Sequence, residues 1–143
     1  MPDILHDFPI QAPPERVFRG VSAPDQLDEW WTVRSAGAPR AGAEYELFFG
    51  PEYDWRARVS RCEPGSVFEL TLTRADPDWL GTRVCFELAG QARGTQLRFQ
   101  HLGWPAANEH YRISCFCWAM YLRILRRFLE HGERVPYAER LDV

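Results

Sequence analysis

Apolar and polar residues alternate along most of the chain with the period of two that is typical of β-strands. The first such run covers residues 4–10 and stops before Pro13 and Pro14. Two short helices are predicted next, over residues 14–21 and 25–30, because proline is tolerated in the first turn of a helix. Further alternating runs follow at residues 45–49, 55–59, 68–72, 84–88 and 97–101. Each run has one apolar and one polar face, which predicts an antiparallel sheet that is solvated on one side.

The segments between these runs have the composition of turns and loops. Gly50-Pro51-Glu52 lies between two of the runs and predicts a hairpin. Residues 62–66 and 89–94 are predicted as turns. The Gly-, Pro- and Ala-rich residues 36–42 are predicted as a loop.

One long helix is predicted in the last third of the chain. Asn108 is a suitable N-cap and Gly132 a suitable C-terminal stop, so the helix would have about 23 residues and a length of about 35 Å. Residues 113–122 carry no charge, and a helix that is apolar on most sides is expected to be enclosed. Its predicted inward face consists of Tyr111, Ser114, Cys115, Trp118, Tyr121, Leu122, Leu125 and Leu129.

This element order predicts an α+β fold in which a curved antiparallel sheet grips the long C-terminal helix. A sheet with one apolar face must bury it, and the long helix is the only predicted element of sufficient size. Residues 1–143 are predicted to form a single domain. We expect a cavity of at least about 300 Å³ between sheet and helix, opening near Trp30, Trp31 and residues 36–42.

Composition supports a binding role and excludes several partners. The chain has six Trp, nine Phe and five Tyr, and aromatic side chains are concentrated in cores and binding surfaces. A net charge of −3 offers no attraction to nucleic acid. No apolar run approaches the roughly 20 residues of a membrane span, so no membrane insertion is expected. Because the N-terminus has no secretion-signal pattern, a cytoplasmic location is expected.

The sequence contains few of the motifs that carry known chemistry. All 17 basic residues are Arg, which excludes a Schiff-base or phosphate-loop lysine. The four cysteines have no metal-binding spacing, and no Gly-x-Ser-x-Gly motif is present. The residues therefore predict no catalytic nucleophile, no metal and no cofactor.

Both ends of the chain resemble the START-like (SRPBCC) superfamily. The N-terminal resemblance lies in Ile10, Ala12, Pro13, Glu15, Val17, Phe18, Pro24, Leu27, Trp30 and Trp31. The C-terminal block is similar to the branch named after the activator of Hsp90 ATPase, through Gly94, Thr95, Leu97, Phe99, His101, Gly103, Trp104, Trp118, Tyr121, Leu122 and Leu125. The resemblance implies the helix-grip fold over nearly the whole chain. The eukaryotic co-chaperone has an additional N-terminal domain that this chain is expected to lack, so the family name does not imply ATPase activation.

The predicted ligand-binding residues face the space between sheet and helix. They are Trp30, Trp31, Trp55, Phe68, Leu70, Phe86, Phe99, His101, Ser114, Trp118, Tyr121 and Leu122. The same apolar residues would serve either a cavity wall or a solid core. We expect one of Trp30 and Trp31 to face inward and the other to be partly exposed.

His101 and Tyr121 each admit two interpretations. His101 ends an inward-facing series and is either a polar group of the site, with a pKa near neutrality, or a strand-end histidine bonded to backbone. Tyr121 either contacts the ligand or is a core residue whose hydroxyl reaches water. Ser114 would share a polar ligand group with them.

Two charged clusters have plainer explanations than function. Asp76-Pro77-Asp78-Trp79 contains two carboxylates that suit paired acids, but Asp and Pro are ordinary turn residues. Arg123, Arg126 and Arg127 are expected on a solvated helix face.

Three functions are consistent with these observations. The leading hypothesis is a non-enzymatic domain that binds a hydrophobic small molecule. The alternative is a polyketide cyclase/aromatase-like or hydrolase-like enzyme, which requires at least two titratable groups converging in the cavity, with His101 exposed to it. A third is a module that contacts a chaperone in the manner of an Hsp90 co-chaperone. The residues do not indicate an oligomeric state.

Overall fold

The six alternating segments and one further short strand form an antiparallel sheet of seven strands in the computed structural model, which describes residues 1–143. The strands are β1 (Ile4–Ile10), β2 (Arg34–Ala36), β3 (Glu44–Phe48), β4 (Asp54–Glu63), β5 (Val67–Arg74), β6 (Arg83–Gln91) and β7 (Gly94–Leu102). The helices are α1 (Pro14–Ser22), α2 (Pro24–Leu27), α3 (Glu109–His131) and a C-terminal 3₁₀ helix (Tyr137–Asp142).

The strand order brings the first and last strands together. The order is β1-β7-β6-β5-β4-β3-β2, and β1 pairs with β7 from Ile4 opposite His101 to Ile10 opposite Thr95. Strand β4 has register shifts between Arg56 and Ala57 and between Val59 and Arg61, and such irregularities bend a strand. The predicted α+β helix-grip architecture is confirmed.

Helix α3 begins and ends where its local sequence predicts. The Asn108 side-chain oxygen accepts a hydrogen bond from the Tyr111 amide at 2.9 Å, which satisfies a free donor of the first turn. Gly132 has a φ of 68°, and its amide donates to the Phe128 carbonyl at 2.9 Å. Neither α3 nor any other helix has the length and apolar character needed to cross a bilayer.

The uncharged run of α3 is only partly enclosed, which corrects the expectation from its composition. Ile113 is 52% and Phe116 80% exposed. Helix α1 packs against the C-terminal half of α3 instead, where Gly20 lets Leu129 approach closely. A Cβ at Gly20 would lie 2.8 Å from Leu129 Cδ2. Buried apolar residues from the sheet, α1 and α3 form one continuous core.

Several element boundaries differ from the predicted ones, and at residues 89–91 the reason is that strand pairing extends into a segment of turn-like composition. Residues 89–91 belong to β6, where Gly90 pairs with Thr95, so the turn contains only Ala92 and Arg93. Helix α2 ends at Leu27, and residues 28–31 form a turn instead of continuing the helix. Strand β2 and the C-terminal 3₁₀ helix have no equivalent in the sequence-based prediction.

Substitution of Gly94 tests the junction between β1 and β7. Its φ is 138°, and a Cβ there would overlap the Ile10 carbonyl oxygen. We expect Gly94→Ala to lower the free energy of unfolding in urea by about 3 kcal/mol. Gly65 also has a positive φ, 79°, but a Cβ at this position would have no atom within 4 Å. Gly65→Ala should therefore cost only about 1–2 kcal/mol, and an equal loss in the two variants would contradict the steric explanation.

Candidate functional site

An open cavity of about 450 Å³ lies between α3, the turn after β3, the β5–β6 loop and the C-terminal 3₁₀ helix. It is larger than the predicted minimum, but residues 36–42 do not border it. Eight of its 14 lining residues are aromatic: Trp31, Phe49, Tyr53, Trp55, Trp79, Trp118, Tyr121 and Tyr137. The others are Asp76, His110, Ile113, Ser114, Cys117 and Leu141.

Helix α3 supplies one stripe of this wall. Its members recur at steps of three and four and therefore share a helix face: His110, Ile113, Ser114, Cys117, Trp118 and Tyr121. This stripe is turned relative to the predicted inward face, which included Tyr111 and Cys115. The predicted face mixes residues of the cavity wall with residues of the core, such as Leu125 and Leu129.

Five of the aromatic residues form a closed series of ring contacts, which we call the five-ring circuit. The ring centroids of Trp31 and Phe49 are 5.5 Å apart, and those of Phe49 and Trp55 5.3 Å. Trp79 is 4.9 Å from Trp55 and 5.8 Å from Trp118, which is 5.2 Å from Trp31. Each such pair stabilises by about 0.5–1.5 kcal/mol beyond its buried area. The circuit is therefore a rigid, preformed apolar surface.

Trp31, Trp55, Ser114, Trp118 and Tyr121 are the predicted site residues that lie on this wall. The remaining predicted residues lie elsewhere: Trp30, Phe68, Leu70, Phe86, Phe99, His101 and Leu122. All seven are buried, and apart from Leu122 they are fully enclosed in the core. Leu122 faces the other side of α3, towards His6 and Phe8 of β1.

The expectation that one of Trp30 and Trp31 is partly exposed is corrected, because both are buried. Trp30 donates its indole N–H to the Gly20 carbonyl at 2.9 Å, which holds it against α1. Its ring stacks on Trp31 at 5.9 Å. Trp30 thus supports Trp31, which forms part of the wall.

His101 is fully buried behind Trp118 and takes no part in the cavity wall. Trp118 Nε1 donates to His101 Nδ1 at 3.0 Å, so the ring proton must lie on Nε2. His101 Nε2 then donates to Thr82 Oγ1 at 2.8 Å, and Thr82 donates in turn to the Trp79 carbonyl. Burial lowers the pKa of His101 to about 3. The ring is a neutral structural link, and neither interpretation considered from sequence described these side-chain partners.

A second histidine, His110, lies on the cavity wall and was not singled out from the sequence. Its Nδ1 is 3.1 Å from Asp78 Oδ2, and Asn108 Nδ2 donates to the same oxygen at 3.3 Å. Asp76, from the same loop as Asp78, is also on the wall. The Asp-Pro-Asp-Trp motif was visible in the sequence, but no spacing connects it to a residue 32 positions later.

Two other polar side chains of the wall, Cys117 and Tyr121, are poor nucleophiles. Burial raises the pKa of the Cys117 thiol, which keeps it protonated near neutral pH. Burial also raises the pKa of the Tyr121 hydroxyl, with a smaller contribution from Tyr137. Both groups offer hydrogen bonds within a mainly apolar surface.

The C-terminal 3₁₀ helix is attached to the cavity mouth by Arg140. This buried guanidinium donates to the carbonyls of Asp28 at 2.8 Å, Val135 at 3.0 Å and Thr32 at 3.4 Å. Carbonyls at the end of a helical segment are natural partners of a cation. The attachment places Tyr137 and Leu141 on the cavity wall.

A family model described as Activator of Hsp90 ATPase homolog 1-like protein matches residues 11–130. The chain belongs to this family. The match includes every element from α1 to most of α3 and excludes the C-terminal 3₁₀ helix. The family's START-like fold supports a ligand-binding role in general terms.

Several solved structures share this fold. The chain is similar to the Aha1 dimer of Colwellia psychrerythraea, with 27% identity, a TM-score of 0.84, and coverage of 93% of this chain and 99% of that one. Protein MLL2253 of Mesorhizobium loti has 22% identity and a TM-score of 0.78 over 92% of this chain and 99% of its own. CalU16 of Micromonospora echinospora has 21% identity and a TM-score of 0.74 over 96% and 83%. Comparison with curated proteins gave no match.

The buried His101 should make stability depend on pH in a defined way. Its pKa is about 3 in the folded chain against an ordinary value of 6.5, so below pH 6.5 the unfolded state binds a proton that the folded state does not. The free energy of unfolding should therefore fall by about 1.4 kcal/mol per pH unit between about pH 6 and 4 from this residue alone. Its contribution to stability is fully present above pH 6.5.

His101→Gln isolates this effect, because an amide accepts from Trp118 and donates to Thr82 without titrating. Urea unfolding of both proteins at several pH values supplies the measurement, since other titrating groups cancel in the difference. Parallel pH profiles for wild type and His101→Gln would show that His101 is not held neutral.

Proposed function

We propose that this protein binds a flat, largely apolar small molecule in the cavity beside α3, without transforming it. The main supporting observation is the largely aromatic wall around an open space of about 450 Å³, in which half-buried Phe49 and Trp55 of the five-ring circuit face the space and the buried Trp31, Trp79 and Trp118 lie behind them. Sites for small molecules are typically concave and apolar with a few placed polar groups, and this cavity has that composition. Flat aromatic rings suit such a wall because offset stacking and edge contacts add to the burial of apolar area.

The position of His101 argues against the enzyme alternative as it was framed from sequence. That alternative required His101 to face the cavity, whereas the residue is enclosed and neutral. Tyr121 and the loop acid Asp76, which the sequence also offered for proton transfer, do line the cavity, but burial raises the pKa of Tyr121 and most of the wall is apolar and aromatic. Binding therefore accounts for the observed wall better than catalysis does.

Cavity occupation is tested with the neutral fluorescent probe N-phenyl-1-naphthylamine. Wild type should increase the probe's emission with a saturating dependence on protein concentration. Cys117→Trp places a large ring into the cavity from α3 and should weaken binding at least tenfold. Phe116→Trp is the matched control, because residue 116 is 80% exposed and outside the wall. Equal binding by the two variants, with unchanged far-ultraviolet circular dichroism, would contradict the proposed location.

A second candidate function, contact with a chaperone of the Hsp90 class, is supported by two observations. The chain is similar to a structure named Aha1, and the family carries the name of an Hsp90 ATPase activator. In addition, Ile113 and Phe116 form an exposed apolar pair on α3, which is the kind of surface a protein partner covers.

This candidate is tested by adding the chain to purified Hsp90 and measuring ATP hydrolysis. If the apolar pair on α3 contacts the chaperone, wild type should change the ATPase rate and Phe116→Asp should abolish the change. Leu5→Asp is a control at another exposed apolar position, on β1. No change of rate with wild type at saturating concentration would remove activation as a function.

A further inference from the structure

A carboxylate and an imidazole, those of Asp76 and His110, line the cavity near the place where the β5–β6 loop meets the first turn of α3. Asp78 Oδ2 accepts from His110 Nδ1 at 3.1 Å, and Asn108 holds the same oxygen at 3.3 Å. Asn108 is itself fixed as the N-cap of α3 through the Tyr111 amide. The Trp104 ring meets the imidazole edge-on at 5.5 Å and 86°. His110 is thus held in place from several directions.

This arrangement determines which hydrogen-bonding role His110 can offer. A carboxylate only accepts, so the Nδ1 atom beside Asp78 carries the ring proton. In the neutral imidazole the other nitrogen, Nε2, then has a free lone pair. The structure shows no protein partner for Nε2, and His110 borders the cavity. A ligand that used this nitrogen would have to donate a hydrogen bond to it.

The charge at this end of the cavity restricts the ligand further. Apart from the histidine, Asp76 is the only lining residue with an ionisable carboxylate or basic group. Asp78 adds a second carboxylate directly behind His110. A carboxylate or phosphate headgroup would be repelled here, because like charges in a partly buried site disfavour each other. This end of the cavity therefore suits a neutral hydrogen-bond donor.

We propose that His110, positioned by Asp78, recognises a hydroxyl group on the ligand, and that the ligand is a neutral hydroxylated aromatic compound of the phenol class. This inference rests on the proposed binding function and specifies its ligand. The aromatic rings of the compound lie against the five-ring circuit, and its hydroxyl donates to His110 Nε2. Asp78 is a positioning residue, since it acts through the imidazole.

Two probes that differ only at the hydroxyl test this proposal. 2-Naphthol donates a hydrogen bond, whereas 2-methoxynaphthalene has the same rings and cannot donate. Isothermal titration calorimetry at pH 7.5 gives both dissociation constants. A hydrogen bond between neutral groups is worth about 1 kcal/mol, so His110→Phe should lower the preference for 2-naphthol about fivefold. His131→Phe, at an exposed position of the same helix outside the cavity, should leave the preference unchanged.

Variants of Asp78 test the positioning role. Asp78→Asn keeps an acceptor for His110 Nδ1 and should retain the preference for 2-naphthol. Asp78→Leu removes the acceptor, so the ring can turn or change tautomer, and the preference should fall towards that of His110→Phe. Circular dichroism and the melting temperature check that each variant is folded. Loss of preference in both Asp78 variants alike would overturn the positioning role.

The outcomes separate this proposal from the function on which it rests. If wild type binds neither naphthalene derivative, the cavity does not take flat aromatic molecules and the proposed function fails with it. If wild type binds both equally, or if His110→Phe keeps the preference for 2-naphthol, binding stands and recognition of the hydroxyl by His110 is overturned.

Discussion

The hydrogen bond between Trp118 Nε1 and His101 Nδ1 fixes the side chain on which both the core and the cavity depend. One side of the Trp118 indole meets Phe99 of β7 at 4.5 Å between ring centroids. Other parts of it meet Trp31 and Trp79 in the five-ring circuit. Since an indole has a single donor, its direction in the core is set by the one acceptor that His101 provides. Trp118 therefore belongs to both the packed core and the cavity wall, together with Trp31 and Trp79.

The same hydrogen bond fixes the tautomer of the His101 ring. Because its Nδ1 accepts, its Nε2 donates to Thr82, which lies just before β6 and donates in turn to the Trp79 carbonyl. The β5–β6 loop is thereby connected to α3 through the interior. Thr82 and Trp79 lie in the same loop as Asp76 and Asp78. A buried neutral histidine thus indirectly positions the acidic end of the cavity.

Local signals account for what the sequence predicted well. The cap residues Asn108 and Gly132 define both ends of α3, and the alternating runs locate most of the strands within a few residues. These features depend on near neighbours in the chain, so the residues themselves carry the information. The helix-grip arrangement followed from the order of the elements and from the family resemblance.

The site was harder to predict from the sequence because its residues come from distant segments of the chain. His110 and Asp78 are 32 residues apart, and the direction of a helix face that is apolar nearly all round cannot be read from periodicity. No sequence pattern indicates that Arg140 is buried. Its partners at Thr32 and Asp28 lie 108 and 112 residues earlier, and they are backbone carbonyls that carry no residue signature.

Arg140 has a consequence for how this protein relates to other members of its family. The segment that it attaches contributes Tyr137 and Leu141 to the cavity, yet the family pattern ends at residue 130. Most of the wall thus lies within the matched region, whereas Tyr137 and Leu141 lie beyond it. The shape of the cavity mouth therefore depends partly on a segment that the family pattern does not define. A substitution in this segment can therefore reshape the cavity mouth without any change in the strands or in α3.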